Sequence, residues 1–332
     1  MRYFFELDIE DTLDMSRRLM RLSCPWLVLV AVGLLADEPA TAPVAPAPPA
    51  VTELSDQIDA TTDTGKAAVR LKFLQQAVNR FEVRVLGDVD APSPCLMPPL
   101  LRYQNPLTSS KDGLLVAFSR GGRPDVLGTV CIGHAKGGAH EFYTTNGLPV
   151  ELRRDGQLYW TSPVNEMKFQ DLPDSPPPAA TAALRSIQMR NIAGQISVMD
   201  DHGWTSKVRQ PLRLLRQPVH RYVDESQQVI DGAVFSYVLG TDPEANLLLE
   251  AYSSKEGPRW RLTFIPQTVY ALQDFRNEQM ILEIQERRIF CTSNAEQYVC
   301  TFRAGPNDVS LEGMMPESKT PAPKPATPPA QP

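Results

Sequence analysis

Three short stretches place side chains of catalytic type next to one another. His140-Glu141 sets an imidazole beside a carboxylate, the pairing used for acid–base work. A zinc-protease helix would need a second histidine four residues on, and position 144 is Thr. Asp200-Asp201-His202 comes after an apolar helical stretch and offers ligands of the kind a divalent ion takes, although such strings also end helices. His140, Glu141, Asp200 and His202 are therefore the candidates for an acid–base or metal-assisted hydrolytic site. His134 would have to join them to complete a metal shell. Ala117-Phe118-Ser119-Arg120-Gly121 is close to a nucleophile elbow, but the residues after Gly121 read as a hairpin where the elbow needs a helix. Asp242, Glu244 and Glu250 supply carboxylates of the glycosidase kind, within a Gly-Thr-Asp-Pro-Glu string that turn formation already explains. No glycine-rich phosphate cradle or dinucleotide fingerprint is present, and no cofactor is expected.

Cys95, Cys131, Cys291 and Cys300 lie beyond an N-terminal apolar run. In an oxidising compartment, proximity suggests Cys95 with Cys131 and Cys291 with Cys300, one of three connectivities. Four buried thiols are the alternative. Arg288 to Phe302 reads as a hairpin pinned by the second pair. Trp160, Trp204 and Trp260 could grip a sugar or peptide, but in predicted strands tryptophan usually fills core.

The elements that would position these residues come in two copies. Pro99, Arg102, Tyr103, Asp112, Gly113, Gly121 and Pro124 recur without a gap as Pro218, Arg221, Tyr222, Asp231, Gly232, Gly240 and Pro243, 119 residues later. Seven identities in 27 residues is well above background and marks a duplicated unit. Turn chemistry accounts for Asp-Gly entering a strand and for Gly-x-x-Pro-acid closing it. Arg102 and Arg221 are expected to pair with Asp125 and Glu244 or to stack on the adjacent tyrosines.

Helical spacing over 66–81 and 182–198 opens each copy, with Thr64 and Thr181 as N-caps. Short β-type runs separated by turn signals come after each helix and favour antiparallel meanders. The expected fold class is α+β: two tandem, similar units, each one helix packed on an antiparallel β-sheet. The first unit spans 64–173 and the second 182–315, joined by a Pro-rich connector over 174–181.

Outside the copies, the chain reads as addresses and tethers. Arg17, Arg18 and Arg21 precede eleven apolar residues, Trp26 to Ala36, the pattern of an export signal and short for a comfortable span. Residues 1–36 read as that signal, with synthesis starting at Met15 because the residues before it are acidic. The 31 prolines of the chain cluster over 37–63 and 316–332 as well as in the connector, marking a linker and a tail. Without residues 1–36 the chain carries 29 basic and 34 acidic side chains. Such a balance gives no electrostatic reason to bind nucleic acid. No transmembrane span is expected once the signal is cleaved.

The strings Leu101–Pro106, Gly122-Arg123-Pro124, His140-Glu141-Phe142, Arg185–Arg190, Leu212–Leu215, Arg221-Tyr222, Asp231-Gly232-Ala233 and Gly240–Glu244 together resemble a family of exported proteins of unassigned activity typical of planctomycete-type bacteria. The resemblance implies export to the periplasm or beyond, and transfers no catalytic position. The functional expectation is a non-catalytic binding or interaction module of the cell envelope, with an envelope protein or glycan as partner. An envelope hydrolase with its site between the two units is the rival.

Overall fold

The computed structural model describes residues 62–87, 92–105, 110–133, 138–164, 168–201 and 209–285 with their side chains, and 298–303 as backbone. All belong to one compact unit, Asp56–Pro332. The first half of the chain forms α1 (Asp63–Val78), β1 (Phe81–Val85), β2 (Leu101–Asn105), β3 (Ser110–Phe118), β4 (Val126–Gly133), β5 (Gly138–Thr144), β6 (Val150–Arg154), β7 (Gln157–Thr161) and the two-residue β8 (Gln170–Asp171). The second half forms α2 (Ala182–Ala193), β9 (Ile196–Asp200), β10 (Gln210–Pro211), β11 (Arg213–Leu214), β12 (His220–Asp224), a 3-10 turn, β13 (Val229–Leu239), β14 (Asp242–Ser254), β15 (Gly257–Pro266), β16 (Leu272–Arg276), β17 (Gln279–Ile284) and β18 (Tyr298–Arg303).

These elements correct the expected α+β class. The two helices are far outweighed by eighteen strands among the described residues, and the strands form four antiparallel sheets. The protein is mostly β. Two inner sheets run β18-β5-β4-β3-β2 and β11-β13-β14-β15-β8, with β12 also on β13; two outer sheets run β1-β6-β7 and β10-β9-β16-β17. The physical reason lies in helix length. Helices of 16 and 12 residues cannot cover the outer face of a whole inner sheet, so each shares that task with a small outer sheet.

Three apolar layers result. Leu74 and Val78 of α1, Phe81 and Val83 of β1 and Leu152 of β6 bury against Leu114, Val116 and Phe118 of β3. Met189 and Ile192 of α2 and Val198 of β9 do the same against Phe235, Leu247 and Leu249. Between the inner sheets, Ala117 and Leu127 meet Val234, Leu248 and Ile265. Strands β3 and β13 are thus covered on both faces, which is why they read as nearly unbroken apolar runs.

The helix termini show local chemistry at work. Thr62, not Thr64, caps α1 by accepting from the Gly65 amide at 3.0 Å, and Thr181 caps α2 as expected. Helix α2 stops at Ala193, five residues short of the expected end. Ile196 to Val198 instead extend into β9, where their alternating side chains reach the core.

Strand order repeats between the halves, with register shifts that the sequence hides. Leu74, Ala77 and Val78 correspond to Met189, Ile192 and Ala193 at a spacing of 115. Strands β2 to β4 correspond to β12 to β14 at 119. The tight β6–β7 and β16–β17 turns, with positive φ at Asp155-Gly156 and Asn277-Glu278, correspond at 122. The halves also exchange strands: β8 of the first pairs β15 of the second, and β18 pairs β5.

Candidate functional site

The repeated Arg-Tyr and Asp-Gly residues sit in adjacent strands and touch each other. Tyr103 of β2 lies opposite Gly113 of β3, and Tyr222 of β12 opposite Gly232 of β13. A Cβ on either glycine would collide with the facing tyrosine ring. Asp-Gly is therefore no turn here, which corrects the expected role. Glycine makes room for an aromatic across the ladder. Nor do the arginines pair with Asp125 and Glu244. Arg102 binds Asp112 through Nη2 at 2.6 Å and Nε at 2.9 Å, while Arg70 of α1 reaches the same carboxylate at 2.9 Å. In the second half Arg221 and Arg185 of α2 grip Asp231 likewise. Each helix is thus bolted to its inner sheet by a buried Asp held between two guanidinium groups.

Gly121 and Gly240 differ in conformation, although the sequence aligns them. Gly240 takes positive φ in the β13–β14 turn, whereas in the first half Gly122 does. Pro124 lends its carbonyl to the Thr145 hydroxyl, and Pro243 lies buried at the start of β14.

The hydrolytic candidates do not converge. His140 and Glu141 are neighbours on β5 and so point to opposite faces of the sheet. His140 packs edge-on to Phe81 in the first core, ring centroids 5.2 Å apart. Glu141 faces the layer between the inner sheets and accepts from Thr129 at 3.0 Å. Asp200 ends β9, fully buried on the far side of the second inner sheet. His134, His202 and Trp204 lie outside the described residues. Among the described residues no three of His, Cys, Asp and Glu are placed to hold a metal ion.

Ser119 is fully engaged by its own loop, accepting from the Gly122 amide at 2.9 Å and donating to the Arg123 carbonyl at 2.6 Å. It leads into a hairpin, not a helix. Trp160 and Trp260 are core residues. Cys95 and Cys131 are free thiols, so the expected pairing between them does not form. Cys95 bridges to Phe118 at one end of β3, while Cys131 sits opposite Gly113 near the other, roughly 17 Å along the strand. A disulfide needs Cα atoms within about 7 Å. Burial pushes the Cys95 thiol up to about 11 and the Cys131 thiol up to about 12, aided at Cys131 by Asp242 and Glu141. Neither is a nucleophile at neutral pH. Cys291 lies outside the described residues, and the backbone of Cys300 pairs with Glu141 of β5.

Two polar clusters that sequence reasoning did not assemble occupy the layer where the halves meet. In one, Glu250 of β14 is fully buried and takes Arg123 at 3.0 Å, Arg261 at 2.7 Å and the Tyr222 hydroxyl at 2.8 Å. Both guanidinium groups lie over the Phe169 ring. Arg123 and Phe169 belong to the first half, Glu250 and Arg261 to the second, so this cluster ties the halves together. In the other, Glu244, Asp242 and Glu141 share one electrostatic neighbourhood with Asp200. Burial first, then Asp242, Asp200 and Glu141, push the Glu244 carboxyl well above the usual carboxylate range. Burial also lifts the Tyr103 phenol, with Asp242, Cys131 and Glu141 adding to it.

One exposed apolar feature is repeated between the halves. Strands β7 and β17 end the two outer sheets, with no described strand on their free side, and they correspond at the spacing of 122. Leu158 and Met280, at matching positions, are 54% and 51% exposed. No described helix is long and apolar enough to cross a membrane. No family model, curated protein or solved structure matches the chain.

Proposed function

We propose that this protein is a non-catalytic binding module of the cell envelope, exported by its N-terminal segment, and that it takes extended polypeptide segments on its outer sheet edges. The observation that carries the reading is the pair β7 and β17, two matching edge strands each displaying a large apolar side chain to solvent. An edge strand leaves alternate N–H and C=O groups unpaired, and an added strand satisfies them while a neighbouring apolar residue grips its side chains. The catalytic-type residues support the same reading. Ser119, His140 and Glu250 are absorbed by loop, core and ion-pair contacts.

The test is affinity capture from envelope extract with the wild type, with Leu158→Lys and Met280→Lys, and with the helix-surface control Leu184→Lys. The expected result is a polypeptide partner retained by wild type and control and lost from either edge variant at unchanged thermal stability. Equal capture by all four proteins overturns the reading.

A further inference from the structure

In the outer four-stranded sheet, two carboxyl groups occupy positions built for hydrocarbon. Asp200 of β9 and Asp274 of β16 are both 0% exposed, and neither oxygen of either has a hydrogen-bond partner. They lie diagonally across one ladder, Asp200 opposite Leu272 and Asp274 opposite Val198, on the face that packs into the second core. The first half supplies an internal control. At the corresponding places β1 carries Val85 and β6 carries Leu152, both buried. The architecture is therefore complete with apolar side chains there, and the acids are an addition specific to the second half. A buried polar group without a partner is costly, and an ionised one far more so.

We propose that Asp200 and Asp274 make this outer sheet a pH-operated latch, closed while both are carboxylic acids and opened as rising pH removes their protons. Among the described residues no cation is paired with either carboxylate: Arg276, two positions along β16 from Asp274, donates to Ser175 and Gln195. Asp200 faces the charges of Asp201, the residue just past the end of β9, and of Glu244 on β14, and Glu244 in turn faces Asp242 and Glu141. Arg209 is engaged by Asp201 at 3.1 Å. Asp274 faces Tyr237 of β13, whose hydroxyl donates to the Ala193 carbonyl, and lies opposite Leu282 of β17. Helix α2 turns Met189, Ile192 and Ala193 toward this core.

Burial lifts Asp200 to about 7 and Asp274 to about 8. In the opened sheet both would ionise near the ordinary value of about 4. The closed form thus holds protons that the open form has released, and closure weakens as pH rises from about 4. Each acid multiplies the open population by up to about tenfold per pH unit, until the closed form ionises too near pH 7 for Asp200 and pH 8 for Asp274.

The test is hydrogen–deuterium exchange of the full chain from pH 5 to 8, corrected for intrinsic exchange, with β1 and β6 as reference for β9 and β16. The expected result is protection in β9 and β16 that falls tenfold or more per pH unit up to pH 7 relative to β1 and β6. A constant ratio overturns the proposal. The double variant Asp200→Val/Asp274→Leu copies the first half and is expected to flatten the ratio; a folded double variant that keeps the slope also overturns it. Asp274→Asn provides a second reading, in which the slope drops toward that of one acid, and an unchanged slope counts against the latch.

Discussion

The two residue pairs that repeat most faithfully are contacts, and each makes a prediction. Asp112 is held by Arg102 and Arg70, and its side chain is fully buried. Removing one charge of such a group leaves the others stranded, so Asp112→Leu is expected to destabilise by about 3–5 kcal/mol. Urea unfolding checks this, and Asp231→Leu serves as the matched measurement in the second half. At Gly113 and Gly232 the effect is steric. Alanine would drive its methyl into Tyr103 or Tyr222, and overpacking of this kind costs roughly 1–3 kcal/mol. The penalty at Gly113 is expected to shrink when Tyr103 is also changed to Leu, which a double-mutant cycle measures. Sequence alone revealed which residues repeat but assigned them wrongly, because Asp-Gly carries the same letters whether it turns the chain or receives a partner across a ladder. The equivalence of the helix arginines Arg70 and Arg185, and their contacts with these aspartates, had no signal in the repeat, since their spacing of 115 departs from the 119 that it imposes.

At the scale of elements, legibility tracked insertion. The stretch from Pro99 to Asp125 matches its copy because no residue is gained or lost between β2 and the β3–β4 connection. The second half gains four residues between β9 and β12 and three more in the β14–β15 hairpin, so the flanking strands slipped out of register with the sequence match. Strands β1, β6, β9 and β16 could then not be recognised as a second pair of sheets, and the helices were credited with covering faces that they only share. Asp274 was missed for the same reason: its burial shows only once β16 is known to alternate inward at Leu272 and Asp274. The strand exchange was equally hidden, because no local pattern says which edge β18 joins. It has a direct consequence. Six residues of β18 cover β5 along its length, whereas β8 contributes only two to β15. Truncation before Tyr298 is therefore expected to raise amide exchange in β5 while leaving β14 unchanged, as read by hydrogen–deuterium exchange.

For the whole molecule, the question is whether two similar halves behave as two domains. Their composition of core says no. The layer between the inner sheets is as buried as the two outer cores, with Leu115, Leu127, Val234 and Leu248 at 0% exposure, so separating the halves would strip both inner sheets of one covered face. The Glu250 cluster crosses that layer, the exchanged strands cross it again, and the Thr241 hydroxyl of the second half accepts from the Gln104 amide of the first at 2.8 Å. Each half keeps its own outer core, but neither can cover both faces of its inner sheet alone. Unfolding is expected to be one cooperative transition. Trp160 reports the first core and Trp260 the second, each almost fully buried. The chain also carries Trp26 and Trp204, so both are first changed to Phe; in that background Trp260→Phe leaves Trp160 as the reporter and Trp160→Phe leaves Trp260, with far-ultraviolet circular dichroism as the common reference. Within each variant the fluorescence and dichroism midpoints should coincide. Adding Glu250→Gln strands Arg123 and Arg261 in the layer and should lower both midpoints together, by the equivalent of about 3–5 kcal/mol. Two separate transitions, or a loss confined to the Trp260 signal, would mean that the halves are joined only by their connector and that the buried layer contributes nothing to their coupling.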